Sequence, residues 1–234
     1  MRSWLLPCLL AAGMVGAVAA GQATAPVPDI AFQYRIVRDG KPVGRHMVQL
    51  FDGKGERDVH VAFSIDTRIA LFKVRVKHDA WERWDGAGAL KELRASTDGP
   101  TKLSEVLVEP AGPRVYTLLA NGEQQRIQGG FIPTSFSNIE GVFEGQRRDI
   151  NLLDTMNGKL RPSYAVRKNL SDPSCDCDGS GASAYYEIYA KDNGKLTHRV
   201  WLDRDGLVLK LGLQTRFGYY FEYQRESVSR KSPA

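Results

Sequence analysis

The sequence predicts an all-β protein: a single antiparallel β-roll, half-open barrel or sandwich of about eleven strands. Three observations carry this. Apolar residues alternate with polar ones at a period of two, as in Val59, Val61, Phe63 and Ile65 against His60, Ala62, Ser64 and Asp66. The alternating runs are separated by short turns such as Asp39-Gly40, Asp85-Gly86 and Asn121-Gly122, and connections this short force antiparallel neighbours. No βαβ rhythm, fixed-period repeat or linker interrupts them, and a sheet this long curls or splits into two packed layers.

Taken in order, residues 1–20 read as a signal peptide. Arg2 precedes the apolar run Trp4 to Val18, and Ala17-Val18-Ala19 is a small-residue cleavage signal, so cleavage after Ala19 or Ala20 is expected. The run is too short to span a bilayer, and Cys8 leaves with it. Residues 21–226 form one all-β domain. Phe32, Tyr34 and Ile36 share a strand face, and a second strand runs from Gly44 to Phe51. After the strand of Val59 to Ile65 comes that of Phe72, Val74 and Val76, which continues through Trp81 and Trp84 if one register break is allowed. Leu103 to Val108 and Val115 to Leu119 follow. The segment from Ile127 to Phe143 has no clean period, and a short helix over Asn138 to Gln146 is expected there. Tyr164 to Leu170, Ala184 to Lys191, Thr197 to Asp203, Leu207 to Gln214 and the alternating Phe217, Tyr219, Phe221 and Tyr223 complete the domain. Residues 227–234 read as a disordered tail.

The chemistry is sparse. A net charge of +5, spread rather than blocked, does not point to nucleic acid. Asp176, Asp178, Ser180, Gly181 and Glu187 match the spacing of an EF-hand loop. The flanks alternate as strands, however, and an extended backbone carries Glu187 away from Asp176 at roughly 3.3 Å per residue. The stretch therefore reads as an acidic, Gly-rich hairpin tip without a metal. Cys175 and Cys177 within it form a disulfide in an oxidising compartment, or remain free or intermolecular thiols; two thiolates fall short of a structural zinc site. The four histidines show no metal-binding spacing, Ser135 and Ser137 lie in no nucleophile elbow, and Asp203-Arg204-Asp205-Gly206 is a turn. No catalytic residue, cofactor or metal ligand is identified.

Several stretches in order, YRIVRDGKPVGRH, FKVRVKHDAWERWDG, IPTSFSN, INLLDTMNGKL and VWLDRDGLVLKL, resemble an uncharacterised secreted domain-of-unknown-function family of proteobacteria over most of residues 30–223. The resemblance implies an exported, β-rich protein, loosely similar to envelope proteins whose curved sheets form lipid-binding half-barrels. It also implies a His and a Trp within the segment that here reads Thr134-Ser135-Phe136-Ser137-Asn138, where this chain departs from the pattern.

The expectation is a periplasmic or secreted binding module of the cell envelope rather than an enzyme. A curved sheet would hold a lipid or other apolar molecule, or an apolar part of an envelope protein. The aromatic content selects Phe72, Val74, Trp81, Trp84 and Trp201 as lining residues. The alternatives are an envelope structural or interaction protein with a filled interior and, with least support, a hydrolase near Thr134 to Asn138.

Overall fold

The computed structural model describes residues 26–232 except 54, 70, 138–145, 172–180 and 216–217. Among the described residues there are fifteen strands and no helix. They are β1 (Ile30–Arg38), β2 (Lys41–Gly53), β3 (Glu56–Ile69), β4 (Phe72–Asp85), β5 (Leu90–Asp98), β6 (Leu103–Gly112), β7 (Val115–Ala120), β8 (Glu123–Gln128), β9 (Phe131–Pro133), β10 (Arg147–Asp154), β11 (Lys159–Lys168), β12 (Ala184–Ala190), β13 (Leu196–Leu202), β14 (Val208–Gln214) and β15 (Tyr220–Arg230). The expected helix and the pair Cys175 and Cys177 fall outside the described residues, as do residues 1–20.

All fifteen strands belong to one sheet, ordered β8 through β1 and then β15 down to β9. Every neighbour is antiparallel except β9 and β10, which pair in parallel. The two ends of the sheet, β8 and β9, are consecutive in the chain, so the meander curls back on itself. The seam between them is packed by side chains: Tyr116 of β7 meets Phe131 of β9 edge to face at 5.3 Å. Across the interior, the β10–β11 turn leans on β7. Gly158 has φ +72°, and a Cβ there would stand 2.4 Å from the Ala120 Cβ, so the close approach needs glycine on both counts.

The alternation read from the sequence sets which side chains enter. Phe32, Tyr34, Ile36, Val48, Leu50, Val59, Val61, Phe221 and Tyr223 all belong to one continuous inner core. A second, small cluster sits on the outer face, where the register partners Tyr185 and Trp201 stack at 4.9 Å with Leu170, Ala182 and Leu209 against them.

Two expectations need correction. The strand count exceeds about eleven because β8 and the first half of β11 carry too few inward apolar residues to show a period, β8 burying Ile127 alone, and because β9 is three residues long and buried throughout, with no alternation to read. The tail over residues 227–234 is not wholly disordered. β15 runs to Arg230, with Ser227 to Arg230 paired to Gln33 to Ile30, because a ladder is made of backbone groups and needs no apolar anchor. The register break expected near Trp81 and Trp84 lies on the β5 side of β4, between Arg83 and Trp84, whereas β3 and β4 pair without a shift from Ile69↔Phe72 to Glu56↔Asp85; Trp81 and Trp84, three residues apart, point to opposite faces.

Candidate functional site

The site is built from two inner rows of the sheet and one segment that crosses them. In the first row, Leu50, Val59, Glu82, Leu93, Val108 and Leu118 are successive register partners from β2 to β7. Five of the six are apolar and at most 2% exposed; the sixth is a carboxyl group, 1% exposed. Glu82 enters because the strict alternation of β4 turns His78, Ala80, Glu82 and Trp84 inward together.

Such a group is tolerable only if it is fully hydrogen-bonded. The Trp84 indole N–H donates to one oxygen at 3.0 Å. The other partners come from the segment after β9: Ser135 Oγ donates to Oε1 at 2.5 Å and Ser137 Oγ to Oε2 at 2.6 Å. Burial pushes the Glu82 carboxyl above its ordinary range, and the three donors offset part of that rise. Between the two serines, Phe136 is driven into the interior, 2% exposed and edge-on to His198 of β13 at 5.4 Å. Its φ of +52° is a left-handed conformation that a bulky residue adopts only when its surroundings enforce it.

The second row is a ladder of rings. Tyr34, His46, Phe63, His78 and Thr97 are register partners from β1 to β5. Tyr34 stacks on His46 at 5.2 Å, Phe63 stacks on His78 at 4.8 Å, and His78 Nδ1 lies 2.8 Å from Thr97 Oγ1. Thr134, which begins the crossing segment, reaches the same row through Thr155, whose hydroxyl lies 3.4 Å from His78 Nε2. Both ring nitrogens of His46 are buried without a hydrogen-bond partner. Burial, reinforced by the nearby His78, lowers the His46 pKa to about 3; burial lowers His78 and His198 to about 4 against the opposing fields of nearby aspartates. All three are therefore neutral imidazoles at neutral pH.

With Phe136 in place, the interior keeps a cavity of about 30 Å³ beside Phe32, Tyr34, His46, Leu211 and Tyr223. A larger open cleft of about 550 Å³ borders the second row at Tyr34, His46, Phe63 and His78, its other walls coming from residues of opposite parity such as Arg45, Met47, Ala62, Lys77 and Asp79.

The expected lining residues do not converge. Trp84 is buried inside, bonded to Glu82. Phe72 and Val74 share its face of β4 but stand beyond the packed interior, Phe72 being 76% exposed. Trp81 is on the outer face, stacked on His60 at 4.4 Å, and Trp201 is sealed in the outer cluster. Glu187, the last residue of the EF-hand spacing, lies within β12 and accepts hydrogen bonds from Tyr185 at 3.0 Å and Tyr189 at 2.5 Å. Burial alone would raise its pKa, but those hydroxyls and the Lys168 charge outweigh burial and hold it below the usual range. Asp203 caps its turn through the Asp205 and Leu207 amides and pairs with Arg225 at 2.7 Å.

The residues that do assemble, Glu82, Ser135, Phe136, Ser137, His46 and His78, were not read as a group. Their one local signal is an acid placed on an apolar stripe, between Ala80 and Trp84. Chemically, both serine hydroxyls are spent on Glu82, and no histidine is bonded to either of them among the described residues.

A meandering sheet curled around an apolar interior, with one segment of its own chain crossing that interior, defines a β-barrel-like protein. One solved structure agrees at the level of fold. A β-barrel-like protein of domain of unknown function DUF1849 from Brucella abortus superposes with a TM-score of 0.56 at 9% identity, covering 88% of this chain and 99% of that one. A DUF1089 family protein from Pseudomonas aeruginosa gives 0.46 at 13% identity over 72% and 89%, and a putative outer membrane lipoprotein-sorting protein domain from Vibrio parahaemolyticus gives 0.21 at 12% over 88% and 86%. Of these three, the Brucella protein alone shares the overall fold. No curated protein matches the chain. The chain belongs to the domain-of-unknown-function family DUF6134, whose model matches residues 34–226.

Proposed function

We propose that this protein is an exported binding module of the cell envelope that takes a lipid or other apolar molecule into its barrel, in the space that Phe136 fills in this conformation. The observation that carries the reading is the Phe136 plug. A left-handed backbone, two serines and a buried carboxyl together seat one ring in the interior. Backbone strain held in place by a polar latch is more than packing alone requires, and strain of this kind clusters at ligand clamps and switch regions. Displacing Phe136 would expose the apolar residues around it to an acyl chain, whose burial contributes about 25 cal/mol per Å². Trp84, bonded to the same latch, would report the exchange, whereas Trp201 on the outer face would not. Export by cleavage after Ala19 or Ala20 belongs to the same proposal, and N-terminal sequencing of the secreted form tests it.

The test of binding is the Phe136→Ala variant beside Glu82→Gln, which loosens the latch without emptying space. Both should take up a fatty acid more tightly than the wild type, with a change in Trp84 emission and added mass in native mass spectrometry. If none of the three proteins binds a fatty acid or phospholipid, the reading fails. A second reading, a structural or interaction protein with a filled interior, is favoured by the residual cavity of about 30 Å³, enough for about one water.

A further inference from the structure

We infer that the β3–β4 hairpin is a membrane-docking probe that inserts its tip into an anionic lipid surface; this does not rest on the barrel binding a ligand. β3 pairs with β2 only as far as Ile65, and β4 pairs with β5 only from Lys77, whereas β3 and β4 stay paired to Ile69↔Phe72. The last four pairs thus run past the end of β5 as a two-stranded ribbon, with β2 continuing to Lys41 beside them on the other side.

The tip breaks the turn chemistry used elsewhere in the chain. It presents Leu71 and Phe72 where tight hairpins favour Asn-Gly or Asp-Gly. Other turns of this protein use such pairs, including Asp39-Gly40 and Asn121-Gly122. Nothing in the fold compensates for the apolar tip, because Leu71 is 95% exposed and Phe72 76%. Around the tip stand Arg68, Lys73, Arg75 and Lys77, with Arg38 and Lys41 flanking the adjacent β1–β2 turn, against the three carboxylates Asp39, Asp66 and Asp98, the last opposite Lys77 at the ribbon's base. Arg38 braces the ribbon by donating to the Arg68 carbonyl at 2.8 Å, and Asp66 holds Arg75 at 2.9 Å beside Lys73. An apolar end inside a collar of cations complements an anionic bilayer, whose headgroups meet the collar as the tip enters the boundary.

The experiment uses the full-length protein with phosphatidylcholine vesicles, with and without phosphatidylglycerol. Binding should require phosphatidylglycerol and weaken in high salt. Leu71→Ser/Phe72→Ser and Lys73→Glu/Arg75→Glu should each lose at least about tenfold in partitioning, with an unchanged melting temperature because these residues are exposed. Phe72→Trp emission should shift to the blue on phosphatidylglycerol vesicles. Phe136→Ala should leave this binding unchanged, which separates the proposal from the barrel reading. Equal sedimentation of Leu71→Ser/Phe72→Ser and wild type, no emission shift, or a tip substitution that alters only self-association would overturn it.

Discussion

Glu82 is the residue on which the interior depends. Three donors converge on it, two of them from a segment more than fifty positions away in the chain. Truncating it leaves those donors buried without an acceptor, each costing about 1–3 kcal/mol, so Glu82→Ala should lower stability by about 3 kcal/mol or more in urea titrations. Glu82→Gln keeps an acceptor and should cost far less. The pair also separates in pH. The native carboxyl has a raised pKa, so the folded state holds its proton where the unfolded chain has lost it. This contribution favours folding at low pH and is lost as pH rises from about 4.5, the ordinary value, through the raised one. The wild type minus Glu82→Gln difference should therefore fall over that window and be flat above it; a flat difference throughout would mean that Glu82 titrates normally.

Among the elements, β15 has the most to show. Its last residues have mostly exposed side chains, yet their backbones complete the ladder of β1, the strand that joins the two halves of the meander. Deleting residues 227–234 strips the partners from Ile30 to Gln33 and turns that part of β1 into an edge next to buried Phe32. The melting temperature should drop by several degrees, about 4–8 °C for each 1 kcal/mol in small domains and about half that for one of this size. An unchanged melting temperature would mean that the paired tail contributes nothing.

For the molecule as a whole, the three buried histidines set the response to acid. His46, His78 and His198 are neutral when folded, with pKa values lowered to about 3, 4 and 4. The unfolded chain takes up their protons below about pH 6.5 and the native chain does not, so stability present above that pH is lost as pH falls toward 4. Each contributes up to about 3 kcal/mol, opposite in sign to the trend of Glu82. Acid denaturation should begin below about pH 6.5. His46→Phe, which keeps a ring against Tyr34 and Phe63 and removes two unpartnered nitrogens, should shift its midpoint to lower pH. An unmoved midpoint would show that His46 is not buried as a neutral ring.

The all-β class and most of the strands were legible because alternation is a local property: a residue's face follows from its parity, and Phe32, Tyr34 and Ile36 went inside as their spacing required. Turns were legible for the same reason, as at Asp203 to Gly206. Two strands were not: β8 has no apolar stripe and is held by its neighbour's backbone, and β9 is three buried residues, too short for any alternation to show. The candidate site was still less legible. Parity alone could mark Glu82 as an acid facing inward, but which groups satisfy it depends on a chain crossing that no local pattern encodes. Aromatic content likewise picked Trp81, Trp84 and Trp201 together, while curvature and register sent one inside and two outside. Sequence determined which side chains share a face; the closing of the sheet decided which face became the interior, because burial is a property of what lies opposite, and that is set only when distant strands meet.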